Sequence, residues 1–573
     1  MAKKAKVTKK PAKKKASNIR RNFVFNIIYQ ILVVLTPLIT APYIARVLGA
    51  NNIGQFSFAY TVVCYFVIFA YLGYQNYAQR AIAEVQDDKE EQSRRFWQIV
   101  ILRLIMVVIS LGVLFILLAL NVFGEYSSLV LMFSLLIAAT AFDINFYFHG
   151  RENFFIVMII NLVIRFIYLA CVFLFIKSQS DLTLYALLYS LMVIGGYLSM
   201  WALLPANLKK VKLHGLNFKK HVGGSLLLFL PVAAVSIYAL LDKTLIGVLV
   251  HGQQYYLQDY YTIIVPIAEV ENGYYFQAER IIKALLSIIL AVGVVMTTRN
   301  SIEYKRHHMG EIKKNIYRSF RFVFALGIPM ALGTVIVAES FSTLYFGAKY
   351  SMFPQFPIDG VASLLMLYTP VIIFSGCSNV IGSQYLLPTK RDKQYSISVG
   401  IGFVLNLAFN CLLIPLMGAS GAIVGTLISE FFIMFIQYLF VAKDFSLRII
   451  LMNIWKYFIA GGVMIGLCYP FYLFVLKNTE LSNLFNLIIL IPSGAGIYYL
   501  VLLILREHEI FKYTKLAITG AGHFFKNAAN KVAVQTASFI VTIASTAHFT
   551  NITDRTPANP SERKKKKKDG KEK

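Results

Sequence analysis

Arg165 lies about a dozen residues into the apolar run "FFIVMIINLVIRFIYLACVFLF", which at ~1.5 Å of helical rise per residue puts it near the middle of a bilayer. An ionisable group at that depth is costly, so it either lines an internal polar path or pairs inside a helix bundle. The same choice faces Asp143, the neighbours Asp242 and Lys243, and the close set Glu279, Arg280 and Lys283, all of which sit inside largely apolar stretches. Such groups can bind a charged solute along a path. Alternatively, Asp143 with Arg165, or Glu279 with Lys283 at an i,i+4 spacing, neutralise one another and fix helix register.

Uncharged polar residues add two stripes. Asn18, Asn22, Asn26 and Gln30 recur every four residues, as do Gln394, Ser398, Gly402, Asn406 and Asn410. An i,i+4 series makes one continuous helix face. Turned toward lipid such a face is costly, so it faces a cavity or a packed neighbour helix; Asn18 and Asn22 also suit the membrane interface.

The sequence contains no HExxH, no GxSxG, no GxxxxGK[ST] and no paired acidic motif in a large extramembrane loop, so an enzyme is not expected. His307 and His308 stand in a basic loop and read as solvated. The five cysteines, at 64, 171, 377, 411 and 468, lie in apolar runs without metal-ligand spacing, so neither a disulfide framework nor a metal site is expected. No cofactor is expected.

The elements that must position these residues are membrane helices. Hydrophobic residues make up 57% of the chain, charged residues 15%, and the mean hydropathy is +0.63, where a soluble domain carries roughly 25% charged residues. Runs such as "IVILRLIMVVISLGVLFILLAL" approach or exceed the roughly 20 residues that cross a bilayer as helix. Backbone groups in lipid must be satisfied within the segment, so helices follow.

Fourteen spans are expected near 20–47, 54–79, 96–120, 127–148, 154–176, 182–204, 223–250, 273–298, 319–345, 358–387, 394–416, 420–442, 452–476 and 483–505. Alternate connections differ in basic residues. One set carries Arg94, Arg95, Lys209, Lys210, Arg306, Lys313 and Arg391 among others, while the opposite set has little beyond Arg46, Lys177, Lys349 and Lys477. The basic set includes both tails, so the positive-inside rule predicts two cytoplasmic termini. The eighth span begins with the polar stretch "ENGYYFQAERIIK". Beyond the spans, 532–549 reads as interfacial or disordered.

The net charge of +28 is concentrated in tails such as "KKAKVTKKPAKKK" and "RKKKKKDGKEK" and in loops between spans. That placement suits anionic membrane lipids and argues against nucleic acid.

The stretch "TPLITAPYIARVLGANNIGQFSFAYTVVCYFVIFAYLGYQNYAQRAIAEVQDD" resembles Wzx-type polysaccharide flippases of the superfamily shared with multidrug (MATE) exporters and the lipid II flippase. The likeness continues through "LDKTLIGVLV", "ENGYYFQAERIIKALLSIILAVGVVM" and "LMGASGAIVGTLISE", covering roughly residues 18–510. The Tyr-rich connection after span seven looks longer than is usual for the family, and the basic tails are additions.

The resemblance implies an all-α polytopic protein of the bacterial cytoplasmic membrane. Its parts would be six-helix bundles at 20–206 and 223–442 facing one another in a V, a linker at 207–222 and two further helices within 452–505, with the basic tails at 1–19 and 506–573 lying outside the resemblance. It also implies alternating access that carries an undecaprenyl-pyrophosphate-linked oligosaccharide outward for surface polysaccharide biosynthesis. Pyrophosphate requires a polar, cationic cavity while the lipid tail stays in the bilayer. Arg46, Arg165, Lys243, Arg280 and Lys283 are then the expected substrate contacts, with Asn26, Gln30, Asn406 and Asn410. Asp143, Asp242 and Glu279 would tune these cations or carry coupling protons. Arg46, near the end of span one, alternatively snorkels to the interface.

Tyr255, Tyr256, Tyr260 and Tyr261 suit an interfacial belt or stacking on sugars. Polysaccharide polymerase and glycosyltransferases are the protein partners such a pathway would offer. Two other functions are weighed: a drug/cation antiporter, which wants a cavity dominated by acids, and a scaffold for glycosyltransferases, which would work through the tails.

Overall fold

The computed structural model describes residues 12–85, 88–151, 153–204, 208, 219–258, 261–347, 360–479 and 482–507. Among these, fifteen helices follow one another: α1 (Ala12–Tyr71), α2 (Tyr74–Ala83), α3 (Lys89–Ala119), α4 (Ser127–Phe142), α5 (Asn145–Gly150), α6 (Phe154–Phe175), α7 (Leu182–Trp201), α8 (Lys219–Leu249), α9 (Ile267–Lys305), α10 (Met309–Phe346), α11 (Gly360–Tyr368), α12 (Pro370–Ile381), α13 (Asp392–Val441), α14 (Leu447–Phe471) and α15 (Asn483–Ile504). The described residues up to Tyr499 form one compact unit, and the described residues 500–507 fall in a second. The basic ends and the stretch 532–549 lie outside the described residues.

Among the described residues, eleven helical stretches are long and apolar enough to cross a membrane. Two of them turn a corner inside: α1 at Gly49 (φ 81°, ψ 172°) and α13 at Gly418 (φ 56°, ψ −134°). Both conformations lie where only glycine is unstrained, so each long helix is two crossings. With α8 added, the count reaches fourteen. The side chains on the outside support a lipid setting, since Ile116 is 60% exposed and Leu416 69%, while many polar groups are buried.

Several boundaries differ from the sequence expectation. The second crossing ends at Tyr71, not 79. Leu72 and Gly73 take positive φ, and the polar stretch "YQNYAQRAIA" forms the separate helix α2, packed through Tyr74, Ala78 and Ile82 against Phe146, Tyr147 and Phe148. Its Gln and Arg side chains do not suit hydrocarbon. The tenth span is broken between Tyr368 and Pro370, where proline opens a new helix at its first position.

The polar start of the eighth span is part of one continuous helix. α9 runs through 39 residues, and its polar side chains meet protein: Glu269 is 4% exposed, Asn272 1%, Gln277 0%. The all-α expectation needs one addition. Gln253–Gln258 and Tyr261–Pro266 pair antiparallel, with Gln253 opposite Pro266 and Gln258 opposite Tyr261. Aromatic and β-branched residues in "YTIIVP" favour strand over helix. Tyr255, Tyr256 and Tyr261 have side chains outside the described ones, and Tyr260 lies outside the described residues altogether.

Candidate functional site

On α9, three i,i+4 relations sort side chains onto adjoining faces: Tyr275 with Glu279, Phe276 with Arg280, and Glu279 with Lys283. Glu279 is the hub. Its Oε2 accepts from Lys243 Nζ of α8 at 2.8 Å, and its Oε1 from Lys283 Nζ at 2.6 Å. The exposures of the three are unequal: the side chains of Lys243 and Glu279 are 7% and 8% exposed, that of Lys283 53%. Lys283 lies within electrostatic reach of Asp242 and Glu430, so carboxylates stand near its open side. A lipid-facing ammonium at this depth would be far costlier.

Asp242, one residue before Lys243, makes no ion pair among the described residues. Its Oδ1 accepts from Asn410 Nδ2 at 2.6 Å and its Oδ2 from Thr426 Oγ1 at 2.7 Å and from the Tyr275 hydroxyl. Asn410 also donates to Asn406 Oδ1 at 3.1 Å, and Asn406 to Thr426 at 3.2 Å. The polar stripe of span eleven therefore points into the seam between α8 and the two parts of α13. Ser398, Asn406 and Asn410 are 0–1% exposed, and Gly402 admits the Ile433 side chain.

Arg280 lies over the Phe276 ring at 4.7 Å and donates to Pro37 O of α1 at 3.4 Å. Pro42, lacking an N–H, leaves Leu38 O without its helical donor, and the Tyr345 hydroxyl supplies one. Arg280 is also within electrostatic reach of Tyr345 and Tyr168.

Across from it stands an aromatic cluster the sequence reading missed. Phe56 packs on Phe133 at 5.0 Å, on Tyr185 at 4.9 Å and on Phe276 at 6.3 Å; Tyr60 packs on Tyr189 at 5.5 Å, and Tyr189 on Tyr168 at 6.3 Å. Arg165 is half-buried, feels Tyr189 electrostatically, and has an Nε with no hydrogen-bond partner. Arg165 and Arg280 thus border the same aromatic wall. The i,i+4 pairs Phe56/Tyr60 and Tyr185/Tyr189 were the available signal.

The expected Asp143–Arg165 pair does not form. Asp143 is 1% exposed; its Oδ2 accepts from the Tyr71 hydroxyl at 2.9 Å and its Oδ1 from Asn145 N at 2.9 Å. Its backbone carbonyl accepts from Arg103 Nη1. Arg103, 1% exposed, lies 5.0 Å from the Phe146 ring centroid and 5.6 Å from that of Tyr71. It is a fully buried cation that the sequence analysis did not single out, although "IVILRLIMVV" displays it in an apolar run as Arg165 is displayed. Arg46 is exposed and donates through Nη2 to Leu344 O, at the end of α10, where a cation satisfies free helix carbonyls. The side chains of Asn26 and Gln30 lie outside the described ones.

α1 and α9 are stitched together near the corner at Gly49. Glu269 accepts from Gln55 Nε2 and from the Tyr126 hydroxyl, both at 2.9 Å, and Ser57 Oγ donates to Asn272 Oδ1 at 3.1 Å. Gly54 and Gly273 allow this approach, since a Cβ on Gly54 would overlap Glu269 O and one on Gly273 would overlap Ala50 O. Gly54→Ala is expected to push α1 and α9 apart and lower stability by about 1–3 kcal/mol. Thermal unfolding in detergent measures this, and an unchanged midpoint contradicts it.

Among the described residues no three His, Cys, Asp or Glu side chains group as metal ligands. The geometry offers anion contacts at Lys283, Arg280 and Arg165, set beside aromatic faces.

Residues 19–298 match the family described as polysaccharide biosynthesis proteins. The fold matches that of the lipid II flippase MurJ in an inward closed conformation, with a TM-score of 0.65 at 14% identity over 85% of this chain and 99% of the other. The chain therefore has the fold seen in MurJ. A MATE family transporter of the MOP superfamily in its inward-facing conformation also aligns, with a TM-score of 0.55 at 14% identity over 72% of this chain and 94% of that one. By sequence, a protein named as an O-antigen transporter in Escherichia coli (strain K12) is 21% identical over 435 residues, 74% of this chain and 97% of that protein. The lipid II flippase MurJ of Bacillus subtilis (strain 168) is 24% identical over 148 residues, 26% of each chain.

Proposed function

We propose that this protein moves an undecaprenyl-pyrophosphate-linked oligosaccharide across the bacterial cytoplasmic membrane by alternating access, with both termini in the cytoplasm. The observation that carries the reading is the half-exposed side chain of Lys283, held by Glu279 and three residues from Arg280 on the same helix. Lys283 and Arg280 hold the pyrophosphate through charge-assisted hydrogen bonds. Sugar rings lie against Tyr60, Tyr189 and Phe276, with Arg165 at their edge. The lipid tail stays in the bilayer. Asp143, Asp242 and Glu279 set the field around these cations, Asn406 and Asn410 act through Asp242, and Lys243 acts through Glu279. Arg46 works at the end of α10, away from the pyrophosphate.

A drug/cation antiporter would need an open surface dominated by carboxylates, whereas Asp242 and Glu279 are buried and the Lys283 side chain is 53% exposed. Deleting the gene in the source cell and following lipid-linked intermediates tests the function: accumulation on the cytoplasmic leaflet is expected, and an unchanged distribution contradicts it. Arg165→Glu, stably inserted, is expected to abolish surface polysaccharide. Normal polysaccharide in that variant removes Arg165 from the path.

A further inference from the structure

Glu430 stands on the second part of α13, twelve residues past the corner at Gly418, or roughly 18 Å along the helix. Its Oε2 accepts from Ser375 Oγ of α12 at 2.7 Å and its Oε1 from the Tyr238 hydroxyl of α8 at 3.2 Å. The other titratable groups that face it are Lys283 of α9, Asp242 of α8, Tyr368 of α11 and Tyr395 of the first part of α13. Among the described residues no cation lies within ion-pair distance of it.

The charges around it do not balance. Three carboxylates, Asp242, Glu279 and Glu430, share two lysines, and Glu279 takes both. Asp242 accepts three hydrogen bonds and is fully served as an anion. Glu430 differs in its partners: both are hydroxyls, which accept as readily as they donate, so its neutral carboxyl fits the same place. An unpaired carboxylate at this depth is costly, and Lys283 is the cation within electrostatic reach of it.

We infer that Glu430 is the proton-binding residue linked to anion occupancy at Lys283: an anion bound there is accompanied by transfer of one proton from solvent water onto the Glu430 carboxylate. The reasoning is electrostatic. An arriving anion cancels the field of the Lys283 ammonium that favours ionised Glu430, so the proton affinity of Glu430 rises. By linkage the proton raises the affinity for the anion equally. At low pH Glu430 is already protonated and binding takes up nothing. Above its free-state titration, uptake appears and affinity falls, by up to about tenfold per pH unit. Glu430 acts through the field at Lys283 and does not touch the substrate.

The inference rests on the proposed pyrophosphate reading, and the probe is chosen to separate the two. Farnesyl-pyrophosphoryl-N-acetylglucosamine has a pyrophosphate that stays fully ionised across the neutral range, so any proton exchange belongs to the protein. Its binding to the full-length purified protein is followed by calorimetry in buffers of different ionisation enthalpy. The wild type is expected to take up a proton on binding and to lose affinity as pH rises. Glu430→Gln is expected to abolish both effects while binding at low pH, and Glu430→Asp, which keeps a carboxyl, to retain proton uptake. Binding to Glu430→Gln with undiminished proton uptake overturns the role of Glu430 alone. The same holds if Glu430→Asp loses the uptake while still binding. Failure of the folded wild type to bind the probe at any pH overturns the pyrophosphate reading and this inference with it.

Discussion

Replacing Glu279 with alanine is expected to be among the most destabilising single changes in the chain, at about 3–5 kcal/mol, because it strands the Lys243 ammonium inside the protein with no counter-charge. Lys243 is 6% exposed and Glu279 is its only ion-pair partner among the described residues. Lys283 loses the same partner but has its exposed side to fall back on, so Lys243 carries most of the cost. Replacing both members at once, Lys243→Met with Glu279→Leu, removes the charge that would be stranded and recovers much of the loss. Thermal unfolding of the single and double variants in detergent measures this. A double variant no more stable than Glu279→Ala contradicts the account of Glu279 as the hub.

Lys283→Gln is expected to behave in the opposite way, folding nearly normally and losing transport. The side chain is 53% exposed and its ion pair with Glu279 lies along one helix, where such pairs contribute only about 0.3–0.5 kcal/mol. Glu279 keeps Lys243 as its partner. The substrate, by contrast, loses a charge-assisted hydrogen bond of about 1.5–3 kcal/mol, which is roughly 10- to 150-fold in affinity. Binding of a farnesyl-pyrophosphoryl sugar to the purified variant measures it. Unaltered affinity would remove Lys283 from the site, and a collapse of folding would mean that its accessibility had been misjudged.

These two residues also show where sequence reasoning reached and where it stopped. Glu279 and Lys283 are four apart on a helix, so their pairing was legible before any fold was known. That Lys243 joins them was not, since it comes from another helix and only tertiary packing brings it within 2.8 Å. The stripe of Asn406 and Asn410 was legible as one face. Its direction was fixed by Asp242, 168 residues away from Asn410, and the face proved to be a helix seam.

Fourteen crossings followed from apolar length because the bilayer sets that length. The corners at Gly49 and Gly418 did not, since a glycine in an apolar run has no unique backbone conformation. Arg103 and Glu430 were visible as charges in apolar runs and deserved the weight given to Arg165. Their partners, a carbonyl, two hydroxyls and ring faces, leave no spacing signal. The aromatic wall had a partial signal in its i,i+4 pairs, but its assembly from α1, α4, α6, α7 and α9 belongs to packing.

The central claim is that the cationic surface at Lys283 and Arg280 carries a pyrophosphate-linked sugar lipid across the membrane. Reconstitution into liposomes holding a fluorescent polyprenyl-pyrophosphoryl oligosaccharide, with the label on the outer leaflet quenched over time, tests it most directly. The wild type is predicted to exchange the lipid between leaflets and Lys283→Glu to leave it in place, both proteins being inserted equally. Equal exchange by the two proteins would contradict the claim.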